Sequence, residues 1–289
     1  MINTGDFKAV EIRDRDNSAV NFLYNTIPGR VLLKILIKPG ISKLAGSILR
    51  NPATCFFIKG FIKRNNIDMN EYRDNKFKSF DDFFIRELKE GYRLFPDNEN
   101  DVAAPGDGKL TVYPVTADSV FTIKNSNYSV CDLLGDKNLA DEFSDGICLI
   151  FRLSPDDYHR YSYIDDGEII SHKQIDGVLH TVRPIAFRKF DVFCRNSREI
   201  TVMQTKNFGK IIQIEVGALF VGKISNRSSS GPVKRGEEKG MFQFGGSTII
   251  LMFKSNIITV NDEIYENTVQ NMETIVRMGD KIGEKPALK

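Results

Sequence analysis

Phe242-Gln243-Phe244-Gly245-Gly246-Ser247-Thr248-Ile249-Ile250-Leu251-Met252-Phe253 sets two glycines and a hydroxyl pair between two uncharged apolar runs. Short runs rich in aromatic and β-branched residues predict buried strands, so Ser247 and Thr248 fall at a strand junction. Gly246 lacks a Cβ, and the peptide bond it shares with Ser247 can take angles that a bulkier residue forbids. Such a bond can be presented to its own neighbour's hydroxyl. Taken alone, the same residues also describe a tight turn, with Gly-Gly bending the chain and Ser-Thr satisfying backbone groups.

A chain of 289 residues is near the size at which one core begins to divide. One main domain with an appendage is expected. A net charge of +2 argues against a dedicated nucleic-acid binder. Cys55, Cys131, Cys148 and Cys194 lie far apart with no CxxC pair, which predicts reduced thiols and no metal site. No stretch reaches the ~18 consecutive apolar residues of a spanning helix, and the N-terminus lacks the pattern of a signal peptide.

The polar segment Met1–Asn17 reads as an exposed arm. From there to Asp68 no acidic residue occurs, while Arg30, Lys34, Lys38, Lys43, Arg50, Lys59, Lys63 and Arg64 all do. Val31, Leu32, Ile35 and Leu36, then Ile41, Leu44, Ala45, Ile48 and Leu49, recur at helical spacing, and Pro28, Pro39-Gly40 and Pro52 break the segment into short helices. A basic amphipathic helix suits an anionic bilayer interface. The alternative is a helical layer packed on the domain with solvated lysines, which does not explain the missing acids. Ser79 is then a predicted N-cap, with Phe80, Phe83, Phe84 and Leu88 on one helix face.

Beyond Pro96 the pattern becomes β. Lys109–Tyr113, Ser119–Ile123, Ile147–Leu153 and Ile211–Val216 read as strands separated by Gly, Asn and Asp. The expected class is α+β: a basic helical region over residues 1–98 and a mainly antiparallel sandwich or barrel over 99–289. Ala104-Pro105-Gly106-Asp107-Gly108-Lys109 puts a carboxylate in a glycine-flanked turn, and Leu153-Ser154-Pro155-Asp156-Asp157-Tyr158-His159-Arg160-Tyr161-Ser162 puts a histidine just after a strand. Residue types alone leave Asp107 as a turn cap and His159 as a polar loop residue.

The order of these pieces resembles the phosphatidylserine decarboxylases of the prokaryotic type. The likeness rests on Gly246-Ser247-Thr248, the Asp107-Gly108 turn, Ser-Pro-x-Asp-Tyr-His-Arg at 154–160, and the phenylalanine-rich segment ending in Arg86-Glu87-Leu88-Lys89. Gly217–Lys223, Phe193–Asn196 and Val276–Asp280 extend it, so that it covers almost the whole chain from Ser18 to Gly283.

The resemblance implies a carboxy-lyase that turns phosphatidylserine into phosphatidylethanolamine and carbon dioxide, with a covalent pyruvoyl cofactor derived from Ser247. It implies cleavage between Gly246 and Ser247, leaving a large chain 1–246 bound to a small chain 247–289. Asp107 is implied as the acid of the processing triad. The location implied is the cytoplasmic face of the cell membrane, peripherally bound, with anionic lipid as partner; association into homodimers is left open.

Chemically, loss of the Ser247 proton lets its oxygen attack the Gly246 carbonyl, replacing amide by ester. Elimination then leaves dehydroalanine, which hydrolyses to a pyruvoyl group and ammonia. Decarboxylation needs an electron sink that no ordinary side chain provides, and the pyruvoyl carbonyl is one. The family has a second histidine three positions after His159, generally assigned as the base for cleavage; here Ser162 stands there. Of His159, His172 and His180, the resemblance and an alternating pattern at Gly177–Pro184 leave His159 and His180 as candidate bases. Two other readings remain: a carrier-type β-sandwich, from the glycine pattern of Gly231–Gly240, and a non-catalytic membrane-binding protein on the same scaffold.

Overall fold

The computed structural model describes residues 7–12, 18–73, 76–123, 126–187, 189–219, 223–243, 245 and 247–286. The first four helices are α1 (Ser18–Asn25), α2 (Ile27–Leu36), α3 (Pro39–Leu49) and α4 (Phe56–Asn65). Pro28 and Pro39 lie in the first turns of α2 and α3, where a missing N–H removes no helical bond. Thr26 caps α2 by accepting from Gly29 N at 3.0 Å. Leu23, Tyr24 and Leu33 enter the main core. By contrast, Ile27, Val31, Leu32, Ile35, Leu44, Ile48, Phe56 and Phe57 are 43–86% exposed. The predicted helical periodicity is present, and much of its apolar side points to solvent.

The Ser79 hydroxyl accepts from Asp82 N at 3.1 Å and starts α5 (Phe80–Phe84). That helix stops one turn earlier than the sequence pattern suggests. Leu88 lies beyond it and bridges to Tyr72, while Phe80, Phe83 and Phe84 pack with Ile58 in a small second core.

All paired strands are antiparallel. β1 (Ala9–Glu11) precedes the helices; β2 (Asp101–Ala103), β3 (Gly108–Pro114), β4 (Val120–Ile123), β5 (Ser126–Ser129), β6 (Ile147–Leu153), β7 (Arg160–Ser162) and β8 (Gly167–Ile175) follow them. Next come β9 (Arg198–Thr205), β10 (Gly209–Gly217), β11 (Ile224–Asn226), β12 (Gly231–Val233), β13 (Glu238–Phe242) and β14 (Ser247–Phe253). β15 (Thr259–Val260), β16 (Met272–Val276) and β17 (Lys281–Glu284) complete the chain. The main sheet runs β1-β16-β3-β6-β14-β10-β9-β8-β12, and a smaller one runs β11-β13-β7. The α+β class expected from the sequence holds. Part of the expected N-terminal arm is β1, which pairs with β16 through Ala9 and Thr274; residues 1–6 and 13–17 lie outside the described residues.

β14 runs through the middle of the main sheet between β6 and β10, and all seven of its residues are buried. An uncharged run is required there, since both faces of the strand are covered. The pairing sets Ser247 opposite Leu153 on one side and Gly217 on the other. At Gly217 the missing side chain leaves room for Leu179, whose methyl would lie 3.1 Å from a Cβ there.

One charged pair joins the two sheets. Lys239 Nζ on β13 donates to Glu215 Oε2 on β10 at 2.7 Å and to Asn226 Oδ1 at 2.9 Å, and both charged side chains are fully buried. Burial pushes Glu215 up and Lys239 down, and their mutual attraction opposes both shifts. β13 is thus pinned a few residues before Ser247. Removing one partner strands the other charge, so Lys239→Met should cost about 3–5 kcal/mol, while Lys239→Met/Glu215→Leu should recover most of it. Urea unfolding of the single and double variants measures this, and strictly additive losses would show that the two groups are not coupled.

Candidate active site

Ser247 begins β14 with its hydroxyl buried and without a hydrogen-bond partner among the described residues; the Thr248 hydroxyl is in the same state. A buried unpaired hydroxyl costs about 1–3 kcal/mol, which marks the position as one where an oxygen is kept free. Gly245, two residues earlier, has φ +137°, a conformation suited to glycine. Gly246 and Phe244 lie outside the described residues.

His159 is completely buried just before β7, its ring centroid 3.9 Å from that of Phe84. Its Nδ1 is 2.8 Å from the Asp157 carbonyl oxygen. A carbonyl only accepts, so Nδ1 carries the hydrogen and Nε2 presents a lone pair. That Nε2 is buried and makes no hydrogen bond of good geometry. Burial first, then the positive charge of Arg86, lowers the imidazole pKa to about 3; the Asp157 carbonyl and the nearby Gly245 backbone oppose this. The ring is therefore neutral at physiological pH. His159 also accepts Phe242 N on its carbonyl at 2.9 Å, tying it to the strand that leads into the Gly245–Ser247 segment.

Asp107 sits in the turn before β3. Arg93 grips it through Nε and Nη2, both at 2.9 Å, and Met278 N donates to Oδ1 at 2.8 Å. Arg93 also reaches Glu71 at 3.0 Å. Ser162, at the family's second-histidine position, adjoins this turn: its N–H donates to Pro105 O at 2.8 Å and its hydroxyl meets Met278 Sδ at 3.3 Å. The Asp107 carboxylate is thus engaged by a guanidinium and a backbone N–H, with no imidazole among its hydrogen-bond partners.

His180 lies elsewhere. The expected alternating strand around it does not form; its segment makes only the isolated Val178–Asn196 bridge. The reason is that outside groups take its backbone bonds: Leu179 N donates to Ile37 O, Thr181 N to the Tyr24 hydroxyl, and His180 N to Asn196 Oδ1. Its Nδ1 is 3.2 Å from the Tyr24 hydroxyl, and its ring stacks on Phe190 at 4.2 Å. Burial and Arg195 lower its pKa to about 4. A link to Ser247 runs through Asn196, whose Nδ2 donates to His180 O at 2.8 Å and to Gly217 O at 2.7 Å.

The roles of three residues in this region escape a reading of motifs. Arg93 acts through contacts between separate segments, which no periodicity signals, and Asn196 stood within the Phe193–Asn196 piece, but its bonds to His180 and Gly217 could not be read there. Arg86 was visible as part of the Arg-x-Leu-Lys segment, yet only the fold shows it buried with Nη2 on the carbonyls of Asp156 and Asp157, beside His159.

The phosphatidylserine decarboxylase family profile matches residues 80–284. A protein of Clostridium acetobutylicum named phosphatidylserine decarboxylase proenzyme 2 is 48% identical over 93% of this chain and 92% of its own length. Phosphatidylserine decarboxylase proenzymes of Ruminiclostridium cellulolyticum and Fusobacterium nucleatum are 41% and 38% identical over 91% and 98% of this chain, covering 90% and 95% of their own lengths. With a profile spanning all but the N-terminal helices and relatives aligned nearly end to end, the chain belongs to the phosphatidylserine decarboxylase family.

Proposed function

We propose that the protein decarboxylates phosphatidylserine to phosphatidylethanolamine and carbon dioxide, using a pyruvoyl group that it makes from Ser247 by cutting its own chain after Gly246. The observation that carries this reading is the free, buried Ser247 hydroxyl on a segment that contacts His159, a neutral imidazole with an unoccupied Nε2 lone pair. The names of the relatives, all proenzymes, support it. No described side chain competes for the Ser247 oxygen, so the site fits the precursor of such a group.

In processing, His159 Nε2 takes the Ser247 proton while the oxygen attacks the Gly246 carbonyl; the amide bond breaks and an ester forms. Loss of the Ser247 Cα proton then expels the Gly246 carboxylate, and hydrolysis releases ammonia. The Asp157 carbonyl holds the imidazole in the required tautomer. Asp107 is proposed as the acid of the processing site, fixed by Arg93 and by Met278 from what becomes the small chain. His180 is the second candidate base. The pyruvoyl carbonyl supplies the sink for the electron pair left by carbon dioxide. The two resulting chains, 1–246 and 247–289, stay associated through the β14 pairings.

Residues 1–98 are proposed as the membrane-associating region and 99–289 as the catalytic part, docked peripherally on the cytoplasmic side of the cell membrane. Exposed Ile27, Val31, Ile35, Leu44 and Ile48, set among lysines and arginines, support this arrangement over a wholly packed helical layer. Among the described residues no helix is long and apolar enough to cross a membrane.

Ser247→Ala should leave one uncut chain with no decarboxylation, and intact-mass analysis with a lipid assay checks both; retained activity would remove the pyruvoyl reading. If His159 is the base, His159→Ala alone should abolish cutting; if His180 serves instead, His180→Ala should. Cut and uncut bands followed over time separate the cases, and normal cutting by the double variant would exclude both. Replacing Lys34, Lys38 and Lys43 by glutamine should weaken binding to anionic vesicles by about 1 kcal/mol per residue, and high salt should mimic the change. Unaltered sedimentation with such vesicles would speak for the packed layer.

A further inference from the structure

α3 roofs a cavity of about 780 Å³, within the range that holds a small ligand. Gly217 and Gln243 are among its lining residues. Gly217 is the partner of Ser247 across the β10–β14 pair, so the cavity reaches to about one strand spacing, ~4.8 Å, from the strand that carries Ser247. Lys43, Arg50 and Lys223 line it as well. They are exposed, and none has an ion-pair partner among the described residues. Arg198 also borders the space, but its guanidinium is consumed by the carbonyls of Leu133, Asp132, Cys194 and Asn196.

Two carboxylates, Asp176 and Glu199, also line the cavity; Asp176 accepts from the neighbouring Gln174 through Oδ1 at 2.9 Å. Glu199 on β9 binds Asn226 at 2.6 Å and His172 at 3.3 Å, both through Oε2, leaving Oε1 without a partner among the described residues. The helix adds a direction. Lys43 and Arg50 share one face of α3, while exposed Leu44 and Ile48 lie roughly 100° or more around it. If Leu44 and Ile48 enter a bilayer, Lys43 and Arg50 sit beside the cavity at the depth of the lipid headgroups.

We propose that this cavity is the headgroup site for the lipid substrate, with Arg50, Lys223 and Lys43 receiving the phosphodiester and Glu199 Oε1 receiving the ammonium. The assignment rests on the functional reading above and adds its specificity-determining residues. Phosphatidylserine carries two negative groups and one ammonium, and separation of charge across the cavity orients this headgroup, with its phosphodiester on the cations and its ammonium toward β9. A guanidinium and an ammonium group bind phosphate oxygens by charge-assisted hydrogen bonds, and their loss is worth at least about tenfold in affinity.

The test uses processed protein and lipids with chains short enough to stay monomeric, which removes membrane docking from the measurement. Short-chain phosphatidic acid, which has no amine to react, is titrated calorimetrically. Arg50→Gln/Lys223→Gln should weaken its binding at least about tenfold, and Glu199→Gln should leave it within about twofold. KM for short-chain phosphatidylserine should rise about tenfold in both variants, with kcat little changed. Unchanged phosphatidic acid affinity in the double variant overturns the assignment. So does a defect seen only on vesicles, which would place the cations on the membrane surface alone. Inorganic phosphate is the second titrant: binding as tight as that of phosphatidic acid would make this a free-anion site and defeat the lipid assignment. A wild-type protein that binds phosphatidic acid as described yet releases no carbon dioxide would count against the catalytic reading and not against the cavity.

Discussion

Hydrogen bonding of β14 to strands on both sides is the constraint on which the rest depends. Seven consecutive residues are held between β6 and β10 in two uninterrupted antiparallel registers. A slip by one residue would turn every side chain of the strand to the opposite face. Burial of Ile249, Ile250, Leu251, Met252 and Phe253, each worth about 1.5–3 kcal/mol, offsets the cost of the unsatisfied hydroxyls at the strand's start. Reactivity and core stability are therefore borne by one strand, with the free oxygen at its edge and the apolar residues behind it.

Electrostatics around that strand follow from burial. Both His159 and His180 are kept neutral by exclusion of water, and Arg86 and Arg195 add to the effect. A neutral imidazole with a lone pair is ready to accept a proton, although its low pKa makes it a weak base; proximity to the hydroxyl has to compensate. Asp107 belongs to a different circuit. Its carboxylate bridges Arg93 from the segment before the β-rich half and Met278 from the end of the chain, so it ties three distant stretches together.

Much of this was legible in the residues. Ser247–Phe253 announces itself because a strand buried on both faces has no room for charge, and Ile147–Leu153 does so by its apolar run, with its one charged residue, Arg152, placed near the end and paired with Glu273. Ser79 marks its helix start, since a hydroxyl before an apolar run satisfies free N–H groups. Lys239 could not be read: a lysine in a polar hairpin is ordinarily solvated, and only the approach of β13 to β10 supplies Glu215. His180 misled because alternation of polar and apolar residues signals a strand only when a neighbouring strand takes the backbone bonds, and here Tyr24, Ile37 and Asn196 take them instead. Leu88 kept helical spacing past the end of α5 for a related reason: its partner is Tyr72, not the helix.

The short connection between β13 and β14 has a consequence for the life of the molecule. Were it severed after residue 246, β14 would become the first strand of a separate 43-residue piece, counting 247 to 289, while remaining in the middle of the main sheet. That piece also supplies β16 near one edge of the same sheet and β17 in another. While joined, β13 and β14 find each other within one chain, at the high effective concentration a short link provides. Once severed and unfolded, the pieces could meet again only by diffusion, with the central gap of a nine-stranded sheet to be filled in register. The mature protein would then persist by the slowness of its unfolding and not by an equilibrium it can revisit. Its fold would be a record of the uncut chain that the cut chains could not rewrite.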